Sequence, residues 1–342
     1  MKHFLLIQYP VLVGILVWAT GWSILKTGNQ PICCPSLHAR HAPRSGAITL
    51  RSGLAGTRAG LSYVREFLKL TVRSCINYRS TRQWVPYWNS TPLLTEIARS
   101  RPGVLKKIYR PYMTNRLRCN DRLDILTSHY ALITQLGLGA LVLRAADSPV
   151  MLSQFTGKSG SAYQIQLEAV GALEREGELV LQMVSEGTIL YSVAFTLFAH
   201  AGLLSVAIGC LQGWRAADTL DRIRHATRDL FGLRPKTLLV RLVQQIGHQF
   251  GCRDLLLVSN QNRVVSRQIR KGSVFADYDA TWEELGAKRR PDGDFKLPCV
   301  LPEGPDFQAI ASNKRSEAKK RFALLTAVSQ LTCEGLERPL TA

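Results

Sequence analysis

The sequence lacks the fixed-spacing signatures that announce the common enzyme and metal classes. Eight cysteines occur, but Cys33 and Cys34 are adjacent and the other six are isolated by tens of residues. No C-x-x-C pair is formed, which leaves no basis for a zinc ribbon or a thioredoxin-like redox motif. H-E-x-x-H, G-x-S-x-G, G-x-x-x-x-G-K-[ST] and a clear Rossmann glycine pattern are also missing, so no zincin, serine hydrolase, P-loop or dinucleotide-binding reading is announced. Nor is there a zinc-finger or RNA-recognition signature. Acidic residues are scarce. There are 25 against 44 Lys and Arg, a formal charge of +19, and none precedes Glu66. That balance favours anionic partners: a phosphorylated small molecule, an anionic membrane surface or nucleic acid.

What is present is a globular composition. A hydrophobic share of 46% with 20% charged residues over 342 positions supplies a core without disulfide staples. Dispersed thiols in apolar runs, such as Cys210 after Val206-Ala207-Ile208-Gly209, read as buried free cysteines in a reducing compartment.

Three segments differ in kind. Residues 1–26 form a hydrophobic segment, almost wholly apolar from Phe4 to Leu25, near the roughly 20 residues that cross a bilayer. It is either an inner-membrane anchor or sequence upstream of the true translation start. As an anchor it has only Lys2 before it, with Lys26, Arg40, Arg44, Arg51 and Arg58 after, so the positive-inside rule expects the main domain in the cytoplasm. Residues 27–62, rich in Arg, Ser, Gly and Ala, read as a basic flexible linker. Residues 63–335 are the main domain.

Within it, 64–145 read as helical from Leu93, Leu94, Ile97 and from Leu123, Leu126, Tyr130, Ile133. His129 shares that last face and reads as a hydrogen-bonded core residue. From Tyr163 the period becomes two, and 163–211 predict an antiparallel sheet of about four strands, with Ile189–Phe198 and Leu203–Leu211 central. A helix capped by Asp218 follows. A second runs from Pro235 to Gly251, then a short strand at Leu255–Val258. The fold class is α+β, a helical N-terminal half packed on a mostly antiparallel sheet followed by helix and strand.

Three places could carry chemistry. Gly232-Leu233-Arg234-Pro235-Lys236 sets two cations at a helix N-terminus, where unpaired N–H groups attract phosphate. Gly232, Arg234 and Lys236 are therefore candidate phosphate or carrier ligands, although Pro235 removes one donor. Gln212, at a strand end beside Gly213 and Trp214, is a candidate substrate contact. Asp277-Tyr278-Asp279, three residues before Trp282-Glu283-Glu284, offers Tyr278 or Asp277 for proton transfer. A helix cap with acidic first-turn residues accounts for the same letters. The basic run Lys314-Arg315 and Lys319-Lys320-Arg321 is either a solvated helix face or a membrane contact. No residue set is expected to hold a metal.

An ordered series of segments resembles the bacterial VirK/YbjX family. It comprises Tyr109-Arg110-Pro111-Tyr112, His129-Tyr130-Ala131-Leu132, Ile208 to Gly213, Gly232 to Lys236 and Val258-Ser259-Asn260. Ala276 to Ala280 with Trp282, Leu297-Pro298, and Ile310 to Arg315 complete it. Ala287 and Ala318 depart from the family pattern, which has a glycine and an aromatic there. The resemblance implies a bacterial protein without assigned chemistry, linked to virulence, envelope behaviour and resistance to antimicrobial peptides. The alternative is a transferase. Strands, a helix with a glycine-basic start and then a strand are similar to the order in GNAT acyltransferases. That likeness implies acyl-coenzyme A or a related pyrophosphate carrier at Gly232–Lys236. Nucleic acid ranks last, resting on charge alone. No protein partner is identified.

Overall fold

The computed structural model describes residues 46–338 apart from 172, 201, 214–217, 266–275 and 302. The expected anchor, most of the basic linker and Trp214 lie outside the described residues.

Helices come first, as the 3.6-residue spacing predicts: α1 Leu61–Ile76, α2 Tyr78–Trp88, α3 Pro92–Ser100, α4 Cys119–Gln135 and α5 Gly139–Asp147. Local chemistry fixes their ends. The Thr91 hydroxyl accepts the Leu94 N–H at 3.3 Å and Pro92 takes the first helical position of α3, where a missing N–H costs nothing. Asp121 accepts the Arg118 N–H at 2.7 Å at the start of α4. Leu123, Leu126, Tyr130 and Ile133 bury one face of α4. His129 is buried among them and its Nδ1 meets the Leu197 carbonyl oxygen at 3.0 Å. Burial pushes its pKa down to about 4, so it is a neutral core histidine at physiological pH, as its spacing predicts.

The sheet is larger than expected. Five antiparallel strands, β1 Val150–Thr156, β2 Ala162–Ala169, β3 Leu179–Ser185, β4 Thr188–His200 and β5 Leu203–Gly213, are followed by β6 Asp254–Leu257, β7 Lys288–Arg289 and β8 Phe295–Pro298. Their order is β1-β2-β3-β4-β5-β6-β8-β7. Among the described residues only the β5–β6 pair is parallel. Joining two parallel neighbours requires a crossover, supplied by α6 Thr219–Asp229 and α7 Pro235–Gln249. Helix α8, Tyr278–Glu284, lies between β6 and β7, and α9, Ser312–Glu337, closes the described chain. Asp218 stands before α6, but its carboxylate accepts from Arg222 at 2.6 Å and makes no cap bond. An i,i+4 arginine outcompetes the helix amides there.

Strand alternation divides the sheet into two faces. One carries Leu181, Val193, Phe195, Val206, Ile208, Leu255 and Leu257, all buried, and α7 lies on it where Gly247 meets Val206. The other is more polar: Gln166, Gln182, Ser192 and Gln212 are successive cross-strand partners on β2 to β5. It also carries a buried ion pair, Lys107 Nζ to Glu178 Oε1 at 2.6 Å, with the side chains 3% and 1% exposed. The Tyr130 hydroxyl donates to the second Glu178 oxygen at 2.5 Å. A buried charge needs such complete pairing to be tolerated. No single helix among the described residues is long and apolar enough to cross a membrane.

Candidate functional site

Two segments about twenty residues apart in sequence are knitted together at the end of β6. Asn260 donates from its side-chain amide to Asp277 Oδ1 at 2.7 Å and accepts the Tyr278 N–H at 2.9 Å. Its own N–H donates to Asp279 Oδ1 at 2.8 Å. The Trp282 indole N–H donates to the Val258 carbonyl at 2.8 Å. Asp277 also caps α8, accepting the Ala280 N–H at 3.2 Å. The Asn260 amide and these backbone donors hold its carboxyl below the usual carboxylate range, so Asp277 is an ionised cap whose bonds fix where Tyr278 points.

Tyr278 points into the wedge between β5 and β6. The parallel ladder runs from Ser205–Asp254 to Ile208–Leu257, and β5 continues to Gly213 without β6 beside it. The Leu211 N–H is left without a strand partner, and the Tyr278 hydroxyl accepts it at 2.7 Å. The same hydroxyl donates to Cys210 Sγ at 3.5 Å. Arg263 stacks over the Tyr278 ring, its guanidinium carbon 3.7 Å from the centroid. Burial raises the phenol well above its ordinary value and pushes the Cys210 thiol up to about 12. Both therefore stay protonated at neutral pH, and neither is poised as a nucleophile.

Glu176 completes the cluster. Cys210 follows a β-bulge at Gly209, where Ala194 pairs with Cys210 but Phe195 with Ile208. Gly209 passes so close to the loop between β2 and β3 that a Cβ there would lie 2.0 Å from the Glu176 carbonyl oxygen. Only glycine permits that approach. The Glu176 side chain is buried, and desolvation pushes its carboxyl up to about 7, with Arg175 and Arg263 drawing it partly back. Its carboxylate makes no hydrogen bond among the described residues. It is the one carboxyl among them with a clearly raised pKa, the condition of a base poised for neutral pH. Backbone strain surrounds it: Val170 and Met113 take φ of 50° and 56°. Such values are costly for a β-branched and a long side chain. The Met113 N–H bonds to the Arg175 carbonyl at 2.7 Å, tying the two strained segments together.

A cavity of about 570 Å³ opens on the polar face, and Glu176, Cys210, Arg263 and Tyr278 are not among the residues that line it. Met113, Thr114, Ile208 and Val258 line it with Ala207 and Leu256, and Met113 and Thr114 join the segments that carry the cluster through the Met113–Arg175 backbone bond and the Thr114–Arg263 bridge. Asp121 and Asp124 of α4 line it together with Arg289 of β7, Arg290 just after it and Lys296 of β8.

The cations at the start of α7 stand at the same end of β5 and β6, against α8. Arg234 donates to Glu284 Oε1 at 2.6 Å. Lys236 donates to the Thr281 hydroxyl at 3.2 Å and lies 3.6 Å from Glu284. Gly232 has φ +78°, and Arg321 of α9 reaches within 3.2 Å of where its Cβ would be. Lys320 lies over the Phe231 ring. Two basic runs separated by some eighty residues thus converge. Gln212 is exposed, on the same face of β5 as Cys210 and two residues beyond it. All six candidate residues sit around the open ends of β5 and β6. Glu176, Cys210 and Arg263 were not among them. Glu176 reads in sequence as one acid of a turn, and nothing local signals its burial. Among the described residues no group of three His, Cys, Asp or Glu side chains is placed to hold a metal.

The architecture defines an α+β protein with a mixed, mostly antiparallel eight-stranded sheet. Its family is the one described as Protein of unknown function (DUF535), whose sequence profile matches residues 59–334, and the chain belongs to it. The chain is 27% identical over 266 residues to Uncharacterized protein YbjX of Escherichia coli (strain K12), covering 76% of this chain and 80% of that protein. An uncharacterized protein of Haemophilus influenzae is 23% identical over 270 residues, covering 78% and 88%. Among solved structures, a cAMP-binding acyltransferase from Mycobacterium smegmatis covers 65% of this chain and 66% of its own at 10% identity. Its TM-score is 0.27, too low to bear on fold or function.

Proposed function

We propose that the chain is an acyl- or aminoacyl-transferase drawing its group from a phosphate-bearing carrier such as acyl-coenzyme A. The observation that carries the reading is the meeting of Glu176, Cys210 and Tyr278 where β5 and β6 part, beside a basic helix N-terminus. Glu176, ionised near neutral pH, takes a proton from the amine or hydroxyl of an acceptor. The freed lone pair attacks the carrier's acyl carbon, and Tyr278 protonates the leaving group. Tyr278 serves as an acid because burial keeps it protonated. Asp277, already bound by Asn260 and Ala280, positions it. Gln212 stands at the β5 end of a polar row with Ser192, Gln182 and Gln166 that crosses the same face of the sheet.

The carrier's phosphates are assigned to the α7 N-terminus, with Arg234, Lys236 and Arg321. Glu284 now neutralises the first two, so a bound polyanion must displace that carboxylate. On this reading the envelope and antimicrobial-peptide role implied by the family resemblance follows if the acceptor is an envelope component whose surface charge the transfer alters.

The test is thermal denaturation of the full chain with and without acyl-coenzyme A. A ligand of the native state raises the melting temperature. Arg234→Ala/Lys236→Ala should keep its fold, since both side chains are partly or largely exposed, and lose the rise. An equal rise in wild type and variant removes the carrier from this helix start. Absence of any rise with acyl-coenzyme A and other phosphorylated carriers removes the transferase reading.

A further inference from the structure

Helix α1 is amphipathic in the wrong direction for a core helix. Its one buried residue is Leu70. Leu61, Val64, Leu68, Val72 and Ile76 are each at least half exposed. At about 100° per residue the centre of this stripe lies roughly opposite Leu70. The helix is therefore held to the domain by one side and presents a second apolar face outward. Isolated exposed leucines need no explanation, but a five-membered helical stripe does.

The charges beside the stripe identify what covers it. Arg65, Lys69 and Arg73, spaced four apart, run along one flank and are exposed. From Arg51 to Arg82 the chain carries seven cations against the single acid Glu66. Glu66 is already engaged, 3.0 Å from Lys69 and 3.6 Å from Arg110. An apolar stripe with a basic flank is the arrangement of a helix lying in the interface of an anionic bilayer, where the apolar face enters the acyl boundary and the cations meet lipid phosphates.

We propose that α1 is a membrane-docking helix, laying Leu61, Val64, Leu68, Val72 and Ile76 into the surface of an anionic bilayer with Arg65, Lys69 and Arg73 on the headgroups. This inference is independent of the transferase reading. It also places lipid contact away from α9, where Lys319 and Lys320 lie over the rings of Phe307 and Phe231 and Arg315 donates to the Gln308 and Ile310 carbonyls.

Cys75, exposed on α1, reports occupancy of the stripe directly. The full chain would be treated with a membrane-impermeant maleimide, and Cys75 alkylation followed by peptide mass spectrometry. The comparison covers free protein, phosphatidylcholine vesicles, and vesicles with about one third phosphatidylglycerol. The expected result is at least a tenfold slower reaction on the anionic vesicles alone. Val64→Asp/Leu68→Asp/Val72→Asp should restore the rate with an unchanged melting temperature, because the positions are exposed. Arg65→Gln/Lys69→Gln/Arg73→Gln should abolish the preference for anionic lipid. Protection without vesicles means another part of the chain, or a second copy, covers the stripe, and overturns the proposal. So does unchanged reactivity on anionic vesicles, or equal protection on neutral ones.

Discussion

Replacing Glu176 by glutamine separates the strain of the site from its chemistry. The amide has nearly the same shape, cannot ionise, and forfeits no hydrogen bond among the described residues. In the wild type, burial raises the carboxyl from 4.5 to about 7. The folded state therefore holds more protons than the unfolded state between those pH values, and stability falls as pH rises through that window. The rise corresponds to about 3 kcal/mol lost by pH 8, all of it present as a cost above pH 7 and absent below about 4.5. Glu176→Gln should match the wild type in stability near pH 4.5 and exceed it by up to about 3 kcal/mol at pH 8. For a domain of this size that is several degrees in melting temperature. On the proposed reading the same variant loses transfer, a site that gives up stability for function. Urea unfolding of both proteins at pH 5 and pH 8 measures the difference. A stability difference that is the same at both pH values would refute the argument, since Glu176 would then not be ionising in a desolvated site.

Two further outcomes follow from other named contacts. Lys107→Met leaves Glu178 charged and buried without its partner, and should cost about 3–5 kcal/mol. Adding Glu178→Leu should recover much of the loss, which a double-mutant cycle by urea unfolding would measure, and a fully additive cycle would deny the pair. Tyr278→Phe keeps the ring under Arg263 but strands the Leu211 N–H, costing about 1–3 kcal/mol. Amide hydrogen exchange at Leu211 should accelerate, and an unchanged rate would mean that the hydroxyl does not hold the end of β5.

Much of the fold was legible because local rules and tertiary packing agree. The alternation from Tyr163 marks β2 and the strands after it, and the proline-to-glycine span from Pro235 marks α7. The helix-like spacing of Leu123, Leu126 and Tyr130 marks the buried face of α4. β1 escaped notice because only Leu152 and Phe155 of its seven residues are buried apolar positions, too little for a period. β7 and β8 are two and four residues long and exist only because β6 offers an edge to pair with.

The sequence by itself determined the α+β class, the family, the basic balance, and the positions of Arg234, Lys236, Asp277 and Tyr278 at element starts. These follow from composition, period and capping chemistry, all of which act within a few residues. Tertiary structure alone decided that Tyr278 fills the place β6 vacates, that Arg321 meets Gly232, and that α1 turns its apolar stripe away from the core. It alone made Glu176 unusual. A carboxyl's pKa depends on the water it loses and the charges it faces, and Gly209, Arg263 and Lys107 come near it only when the whole sheet and its loops are assembled.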